Sequence, residues 1–363
     1  MINYKNKSIF IFVDSLSLGG AEKNCVSYAN VIARNGYTVS VVIYNLGNLS
    51  LVNELDSSVR VVNLNKCSGL KALPKLIKVI SKNKIDLAFC FNSQISILVY
   101  LSRLISGSDF KIISRCVNNL SALNKIHSKR IKQIVLNKLT PILYTKMDHY
   151  IAQCEAMKVA LKLELSINEN RVTTIYNMVE EKFSPDGCKL KLSNYEKKVL
   201  YVGRFKKQKG IDFLGDIIIK SLKSDNNLSF HLIGDGEGKD ELLNFLKSNG
   251  VDDRVFFYGK VDNVDDYYRS VDVTILTSRF EGFPNVLCES ISCGTPVVSF
   301  DCPTGPSEIV VNGQNGFIVD CFNTNNFVDM IQRAFLLKSN GKVLMKLHNN
   351  ISVDNILNLI ERV

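Results

Sequence analysis

The chain has 363 residues, 46% of them hydrophobic and 22% charged, which suffices for two globular domains that each bury their own core. Its ten cysteines form no C-x-x-C pair and only four histidines accompany them, so the composition argues against a disulfide framework or a structural zinc site and favours a reducing, cytoplasmic location. The net charge of +10 is unevenly placed, with +12 in residues 1–180 and −2 in the remainder, which indicates two domains with different partners.

In the first half, short β-branched runs alternate with stretches of helical length. The first run, "SIFIFV", ends before Asp14 and is too short for the core of a signal peptide, and no apolar run reaches the roughly 18 residues of a membrane span. It is followed by "AEKNCVSYANVIARNG", "TVSVVIY", "LPKLIKVISKN", "IDLAFCF" and "FKIISR". This alternation predicts βα units on a parallel sheet, which binds its ligands in the loops beyond the carboxyl ends of its strands.

Gly19 and Gly20 occupy the first such loop, in "DSLSLGGAEKN". Two glycines let a ligand approach the backbone where a helix begins, and the free N–H groups there favour an anion. The same pair also suits a plain tight turn into a helix.

A strongly basic segment follows "FKIISR". Between Lys111 and Lys146 lie basic residues and no acidic one, and in "NKIHSKRIKQIVLNKL" they alternate with isoleucine, valine and leucine. The spacing predicts an amphipathic basic helix, which either packs its apolar stripe on the domain core or lies on an anionic surface.

The βα pattern pauses across the polar stretch "EEKFSPDGCKLKLSNYEKK" and then resumes with "VLYVGRF", "LSFHLIG", "RVFFYG", "VDVTILT" and "TPVVSF". We predict an α/β protein with two doubly wound, Rossmann-like domains at residues 1–177 and 198–349, joined by a linker at 178–197. Residues 350–363 are predicted as a C-terminal helix, which either caps the second domain or crosses back to the first.

Two loops of the second half carry charge or glycine. In "VGRFKKQKG", Arg204 as a planar fork and Lys209 as a point charge are suited to converge on a diphosphate, although such a loop is also typical of a solvated basic surface. "LIGDGEGKD" begins like a dinucleotide fingerprint, but Lys239 stands where the third glycine belongs, so a turn before a helix is the better interpretation.

Two carboxylates frame the stretch "EGFPNVLCES". Pro284 suits the first turn of a helix and Gly294 its end, so Glu281 precedes the helix and Glu289 lies inside it. A sugar-nucleotide has two hydroxyl-bearing rings joined by a diphosphate, and the helix N-terminus between the carboxylates is suited to that diphosphate. Taken singly, each glutamate is also compatible with an ordinary solvent-facing charge.

Together these motifs resemble the retaining glycosyltransferases of family 4, which have the GT-B fold of two doubly wound Rossmann-like domains facing a central cleft. The resemblance rests on "GGAE" at 19–22, "GRFKKQKG" at 203–210, "GDG" at 234–236 and "EGFPNVLCE" at 281–289, which matches the E-x7-E element of the family. "DCPTGPSEIVVNGQNGFIV" is similar to members that build bacterial surface polysaccharides from UDP-sugars.

The resemblance implies a role for each motif. Glu281 would be catalytic by binding hydroxyls of the transferred sugar, and Arg204 and Lys209 by holding the diphosphate and stabilising the leaving group. Glu289 would bind the donor ribose, and backbone groups near Gly259 and Val261 would meet the base. The donor-binding set is Gly19, Gly20, Gly259, Val261, Val286, Leu287 and Glu289.

The acceptor side departs from the family pattern. Many members carry a histidine in the loop after the strand that corresponds to "FKIISR", whereas this loop reads "CVNNLSALNK". Arg115, Asn118 and Asn119 occupy the place, and we assign them to the acceptor side.

The resemblance implies a cytoplasmic enzyme, peripherally associated with the inner face of the cell membrane. It would transfer a hexose or N-acetylhexosamine from a UDP-sugar to a polyprenyl-diphosphate-linked oligosaccharide, with retention of configuration, in O-antigen or capsule biosynthesis. The basic segment at 111–146 would dock the enzyme on the anionic membrane surface. No cofactor or metal is expected, because cationic side chains would hold the diphosphate and the chain contains no Asp-x-Asp pair.

Two other functions are compatible with the same fold: a sugar-nucleotide epimerase, which needs no lipid acceptor, and a non-catalytic partner in glycan assembly. The joint presence of the Arg204, Lys209, Glu281 and Glu289 set argues against the second. Nucleic-acid binding is not expected, because no stacking aromatics are interleaved with the basic residues of the first half.

Overall fold

The computed structural model describes residues 7–17, 19–44, 50–65, 69–116, 139–337 and 341–363. The chain divides into two compact units, one made of Met1–Met178 with Asn350–Val363 and the other of Val179–Asn349. Each unit is built on a parallel sheet that carries helices in the connections between its strands, which confirms the predicted pair of doubly wound α/β domains. In these described ranges no helix is both long and apolar enough to cross a membrane.

The strands described in the first unit form one parallel sheet in the order β3-β2-β1-β4-β5-β6-β7. Their bounds are β1 Ser8–Val13, β2 Thr38–Ile43, β3 Arg60–Asn63, β4 Leu87–Cys90, β5 Lys111–Arg115, β6 His149–Ala152 and β7 Val172–Thr174. The strand order reverses between β1 and β4, which makes the loops after these two strands the topological switch point of the sheet.

Three strands of this sheet, β3, β6 and β7, are absent from the sequence prediction. Each has only three or four residues, and β3 at the edge of the sheet is largely exposed. Strands β3 and β7 are only partly buried, and β6 reads "HYIA" between Asp148 and Gln153, so none of the three forms an apolar run like the "IDLAFCF" that contains the four-residue β4.

Among the described residues of the first unit, the helices between its strands include α1 Gly20–Arg34, α2 Gly69–Lys82, α3 Ser93–Ser106 and α4 Glu155–Leu165, and residues 139–144 are also helical. Helix α3 begins where the side chain of Asn92 accepts a hydrogen bond from the backbone N–H of Ile95 at 2.7 Å. It ends at Gly107, whose left-handed φ of 66° suits a residue without a Cβ.

The strands described in the second unit form a parallel sheet in the order β10-β9-β8-β11-β12-β13. The strands are β8 Lys197–Val202, β9 Leu228–Ile233, β10 Val255–Gly259, β11 Val273–Leu276, β12 Val297–Phe300 and β13 Gly316–Val319. The helices are α5 Ile211–Ser224, α6 Lys239–Ser248, α7 Val264–Ser270, α8 Asn285–Ser292, α9 Pro306–Ile309 and α10 Thr324–Ala334. Here the order reverses between β8 and β11, which are hydrogen-bonded neighbours.

The C-terminal helix, α11, spans Gly341–Arg362 and so begins before the predicted segment. Its residues Ile356, Leu359 and Ile360 are buried in the core of the first unit. The ammonium of Lys7 donates to the carbonyl oxygen of Ile360 at 2.8 Å. Of the two alternatives, the end of the chain therefore crosses back to the first unit.

The segment predicted as a linker packs on the second unit from Val179 onwards. The guanidinium of Arg269, a buried residue of α7, donates to the carbonyl oxygens of Lys182, Ser184 and Cys188 at 3.1–3.2 Å. Phe183 joins the apolar cluster around Tyr268. The polar composition of this segment correctly indicates a connection between the two units. It does not indicate that the segment packs on the second unit, because Arg269, which binds it, is about 80 residues away in the sequence.

Candidate active site

The loops after β8 and β11 meet at the switch point of the second sheet. The hydroxyl of Thr277 donates to the carbonyl oxygen of Lys209 at 2.8 Å. The backbone N–H of Arg279 donates to the carbonyl oxygen of Gln208 at 2.9 Å. Gly210, at the end of the loop after β8, has a left-handed φ of 65°, and a Cβ at this position would overlap the carbonyl oxygen of Thr277. The close approach of two backbones therefore explains the glycine that ends "GRFKKQKG".

Lys209 and Glu281, both predicted as catalytic, form an ion pair at this junction. Their Nζ and Oε1 atoms lie 2.6 Å apart, and their side chains are only 17% and 9% exposed. The hydroxyl of Ser278, itself fully buried, lies 2.5 Å from the same oxygen. Oε1 of Glu281 therefore accepts two short hydrogen bonds, one from the ammonium of Lys209 and one from the hydroxyl of Ser278. These contacts fix the orientation of the carboxylate and so of its other oxygen, Oε2.

The loop after β12 supports Glu281 from a third side. The hydroxyl of Thr304 donates to the carbonyl oxygen of Glu281. Gly305 follows with φ 104°, and a Cβ there would lie 2.6 Å from Cδ of Pro284. Three strand-to-helix loops that are neighbours in space therefore hold Glu281, two of them through its carboxylate and the third through its backbone carbonyl.

Arg204 lies in the same loop as Lys209 but is exposed. Among the residues that the structure describes, no hydrogen-bond or ion-pair partner is found for its guanidinium. Arg279 differs, because it forms a bidentate pair with Asp212 at 2.6–2.7 Å and lies over the ring of Phe213. Hydrogen bonds from Arg279 hold the pKa of Asp212 below its ordinary value. Arg204 is thus available to a ligand, whereas Arg279 clamps the two loops together.

Glu289 lies within α8, eight residues after Glu281 in the sequence. The helix begins at Asn285, after Pro284 as its N-cap. The buried hydroxyl of Tyr268 donates to Oε2 of Glu289 at 3.0 Å. Burial and, next, the charge of Glu289 raise the pKa of Tyr268 well above 10, so the tyrosine acts as a hydrogen-bond donor.

The other donor-side residues of this unit contribute backbone and packing. Leu287 is fully buried, and Val286 packs with Val261 against the cluster around Tyr268. The carbonyl oxygen of Gly259 accepts a hydrogen bond from the N–H of Gly234 at 2.7 Å. Leu287 therefore offers a ligand no side-chain surface.

The glycines of "GDGEG" have a packing role. Gly234 has φ 131° and Gly236 has φ 155°, and a Cβ at either would press on the backbone of Gly203 or Phe205 in the loop after β8. This confirms a turn before a helix, since α6 begins at Lys239. The turn lies against the loop that carries Arg204 and Lys209.

In the first unit, Gly19 is the N-cap of α1 and Gly20 is its exposed first residue. Arg115 ends β5 with its side chain buried over the rings of Tyr28 and Phe91, at 5.7 and 5.4 Å, and donates to Asn177. A guanidinium so placed organises the carboxyl edge of the sheet and offers no surface to an acceptor, contrary to the expected direct role. The positions of Asn118 and Asn119 lie outside the described residues.

Ser278, Thr304 and Arg279 are site residues that the sequence interpretation missed. Their signal is weak, because a serine three residues before Glu281 and an arginine two before it are common in any loop. In the described ranges no group of three or more His, Cys, Asp or Glu side chains is arranged to hold a metal ion.

Comparison with known proteins identifies the family of the chain. Residues 18–183 match the family described as Glycosyltransferase Family 4, and residues 196–336 match Glycosyl transferases group 1. The chain is 25% identical over 355 residues to an uncharacterized glycosyltransferase of Haemophilus influenzae, covering 94% of this chain and 93% of that protein.

A second relative, from Campylobacter jejuni, is N-acetylgalactosamine-N,N'-diacetylbacillosaminyl-diphospho-undecaprenol 4-alpha-N-acetylgalactosaminyltransferase, 25% identical over 74% of each chain. Among solved structures, Anabaena Alr3699/HepE in complex with UDP-glucose superposes with a TM-score of 0.79 at 19% identity, covering 98% of this chain and 100% of that one, and so shares the fold. The two family matches span most of the chain, which therefore belongs to the family 4, group 1 glycosyltransferases with the GT-B fold.

Proposed function

We propose that this glycosyltransferase moves a hexose or N-acetylhexosamine from a UDP-sugar to a lipid-linked oligosaccharide during bacterial surface-polysaccharide synthesis, with retention of configuration. The observation that carries the proposal is the Lys209–Glu281 ion pair at the switch point of the second sheet, beside the exposed Arg204. The Campylobacter relative, whose name includes a diphospho-undecaprenol, and the UDP-glucose complex of the Anabaena structure support the acceptor and donor classes.

The arrangement suits a donor that loses a nucleoside diphosphate. Arg204 and Lys209 would hold the diphosphate, while Glu281 accepts hydrogen bonds from sugar hydroxyls. The bond between the anomeric carbon and the phosphate oxygen breaks as the acceptor oxygen bonds to the same face of that carbon. The acceptor proton would pass to the leaving phosphate.

The direct test is release of UDP by purified protein from a panel of UDP-sugars, with and without polyprenyl-diphosphate sugars. Release that depends on the acceptor, with an α-linked product from an α-linked donor by NMR, supports the proposal. Conversion of a UDP-sugar to its epimer without acceptor would instead identify the epimerase alternative.

We further propose that transfer needs no divalent cation, because the residues near the expected diphosphate are cationic. Activity should be unchanged after dialysis against EDTA and should not rise when Mg²⁺ or Mn²⁺ is added. Loss of transfer in EDTA with recovery in Mn²⁺ would contradict this.

We also propose that the basic segment at 111–146 places the first unit on the anionic face of the membrane. Residues 117–138, the main part of this segment, lie outside the described residues. In the adjoining helical residues 139–144, the side chains of Leu139 and Ile142 are 46% and 58% exposed, so apolar surface is accessible next to this segment. Each Lys or Arg near an anionic surface contributes about 1 kcal/mol.

Wild-type protein should therefore sediment with phosphatidylglycerol vesicles at low salt and be released as salt rises. Replacing Lys125, Lys129, Arg130 and Lys132 by Gln should abolish sedimentation while the thermal unfolding midpoint stays unchanged. Equal sedimentation of that variant would refute the docking role.

A further inference from the structure

The switch point of the first sheet carries a polar pair that the proposed reaction has not used. Strands β1 and β4 are parallel neighbours, with Phe12 beside Cys90. Asp14 follows the first strand and Asn92 follows the second, so both side chains stand at the carboxyl edge where the strand order reverses. Open parallel sheets bind their ligands at this edge.

Asn92 has a single possible orientation for its amide. Its Oδ1 accepts from the N–H of Ile95 as the cap of α3, which turns its Nδ2 towards Asp14. Nδ2 donates to Oδ2 of Asp14 at 2.8 Å. In the part of the chain that the structure describes, no group donates to Oδ1 of Asp14. The carboxylate is thus oriented by one oxygen and offers the other.

The surroundings of Asp14 combine access with partial desolvation. Asp14 as a whole residue is exposed, but neighbouring protein atoms partly desolvate its carboxyl group. This desolvation raises the pKa of the carboxyl above its ordinary value, and the hydrogen bond from Asn92 opposes that rise. Tyr44, which follows β2, is buried, and no partner for its hydroxyl is found within the described ranges. Its backbone N–H donates to the carbonyl oxygen of Asp14 at 3.2 Å. The backbone contact from Tyr44 fixes the main chain of Asp14, and the exposed carboxylate is the group that a hydroxyl-bearing ligand can reach.

We infer that Asp14, held by Asn92, accepts a hydrogen bond from a hydroxyl of the acceptor sugar. The inference rests on the proposed glycosyl transfer for the identity of the ligand, and it replaces the buried Arg115 as the first unit's contact with the acceptor. Asn92 is a positioning residue, since it acts through Asp14.

The opposite edge of the same two strands provides a matched control. Asp86 precedes β4, and its Oδ2 accepts from the N–H of Ser8 at 2.7 Å. Asp14 and Asp86 therefore both connect β1 to β4, but only Asp14 lies at the carboxyl edge. A purely structural brace would make the two aspartates equivalent, whereas a binding site distinguishes them.

In acceptor-dependent UDP release, Asp14→Asn should raise the acceptor KM about 10- to 100-fold, the range for a lost hydrogen bond to a charged group, and leave the donor KM unchanged. Asn92→Ser retains a helix cap but removes the donor to Asp14, and it should raise the acceptor KM by a smaller factor. Asp86→Asn should leave the acceptor KM at the wild-type value. An unchanged acceptor KM in Asp14→Asn, or an equal rise in Asp86→Asn, would overturn the inference.

A binding measurement separates this inference from the proposed reaction. Saturation-transfer NMR with methyl glycosides of glucose, galactose, N-acetylglucosamine and N-acetylgalactosamine should show binding to wild type and Asp86→Asn, and loss of binding in Asp14→Asn. Equal signals in all three proteins, or none with wild type, would reject the site. If the wild-type protein released UDP from no donor, the proposed transfer reaction would be rejected. The NMR result would still decide whether Asp14 binds a sugar hydroxyl, because that measurement does not depend on turnover.

Discussion

Lys209→Ala and Arg204→Ala are each expected to lower kcat by about two to three orders of magnitude, the scale on which one charge-stabilising group acts in a preorganised site. Both cations are assigned to the diphosphate, whose charge grows as the bond to the sugar breaks. The loss should therefore fall on kcat more than on the donor KM. Steady-state kinetics with saturating acceptor measures both.

The two variants should differ in stability. Lys209 is 17% exposed and pairs with Glu281, so its removal leaves a desolvated carboxylate beside Ser278. Arg204 is exposed, and its loss should leave the unfolding midpoint near that of wild type. Lys207→Ala, in the same loop, is the control for general loss of positive charge and should keep wild-type turnover. Wild-type kcat in both Lys209→Ala and Arg204→Ala would refute the donor assignment.

Glu281→Ala is expected to reduce both activity and stability. It leaves the ammonium of Lys209 without its carboxylate, and breaking a buried pair costs about 3–5 kcal/mol, with the lower end expected for this partly accessible lysine. Glu281→Gln keeps the shape and should fold better, yet it should still lose about two orders of magnitude in kcat, because the charge near the transferred sugar is gone.

The double variant Lys209→Met/Glu281→Gln tests whether the pair acts as a unit. It should recover part of the stability lost in Glu281→Ala, since no charge is left unpaired, and its turnover should be no lower than that of the worse single variant. Additive losses in kcat would show that the two residues act independently.

Glu289→Ala provides the contrast, because Glu289 bonds Tyr268 rather than Lys209. Its expected role on the ribose predicts a raised donor KM with kcat largely kept. A kcat loss equal to that of Glu281→Ala would mean that the two carboxylates do not divide between the two ends of the donor.

The long buried strands were predictable because a parallel sheet covered on both faces reads as a continuous apolar run, as in β1 and β9. Strands β3, β6 and β7 were not, because β3 and β7 are only partly buried and β6 reads "HYIA" between polar neighbours, whereas the equally short β4 lies within the apolar run "IDLAFCF". The linker assignment shows a related effect: polar composition indicates a connection, while Arg269 decides what that connection packs against.

Local sequence by itself determined the class of fold, the family and the candidates Arg204, Lys209, Glu281 and Glu289, because glycine, charge and helix-start signals depend on neighbouring residues. Only the tertiary structure decided which of them meet. Lys209 and Glu281 are 72 residues apart and pair because β8 and β11 are neighbours, and Asp14 reaches Asn92 because β1 adjoins β4. The same long-range packing buries Arg115 over Tyr28 and Phe91, which no pattern within "FKIISR" encodes. Contacts of this kind follow from strand order, a property of the whole sheet.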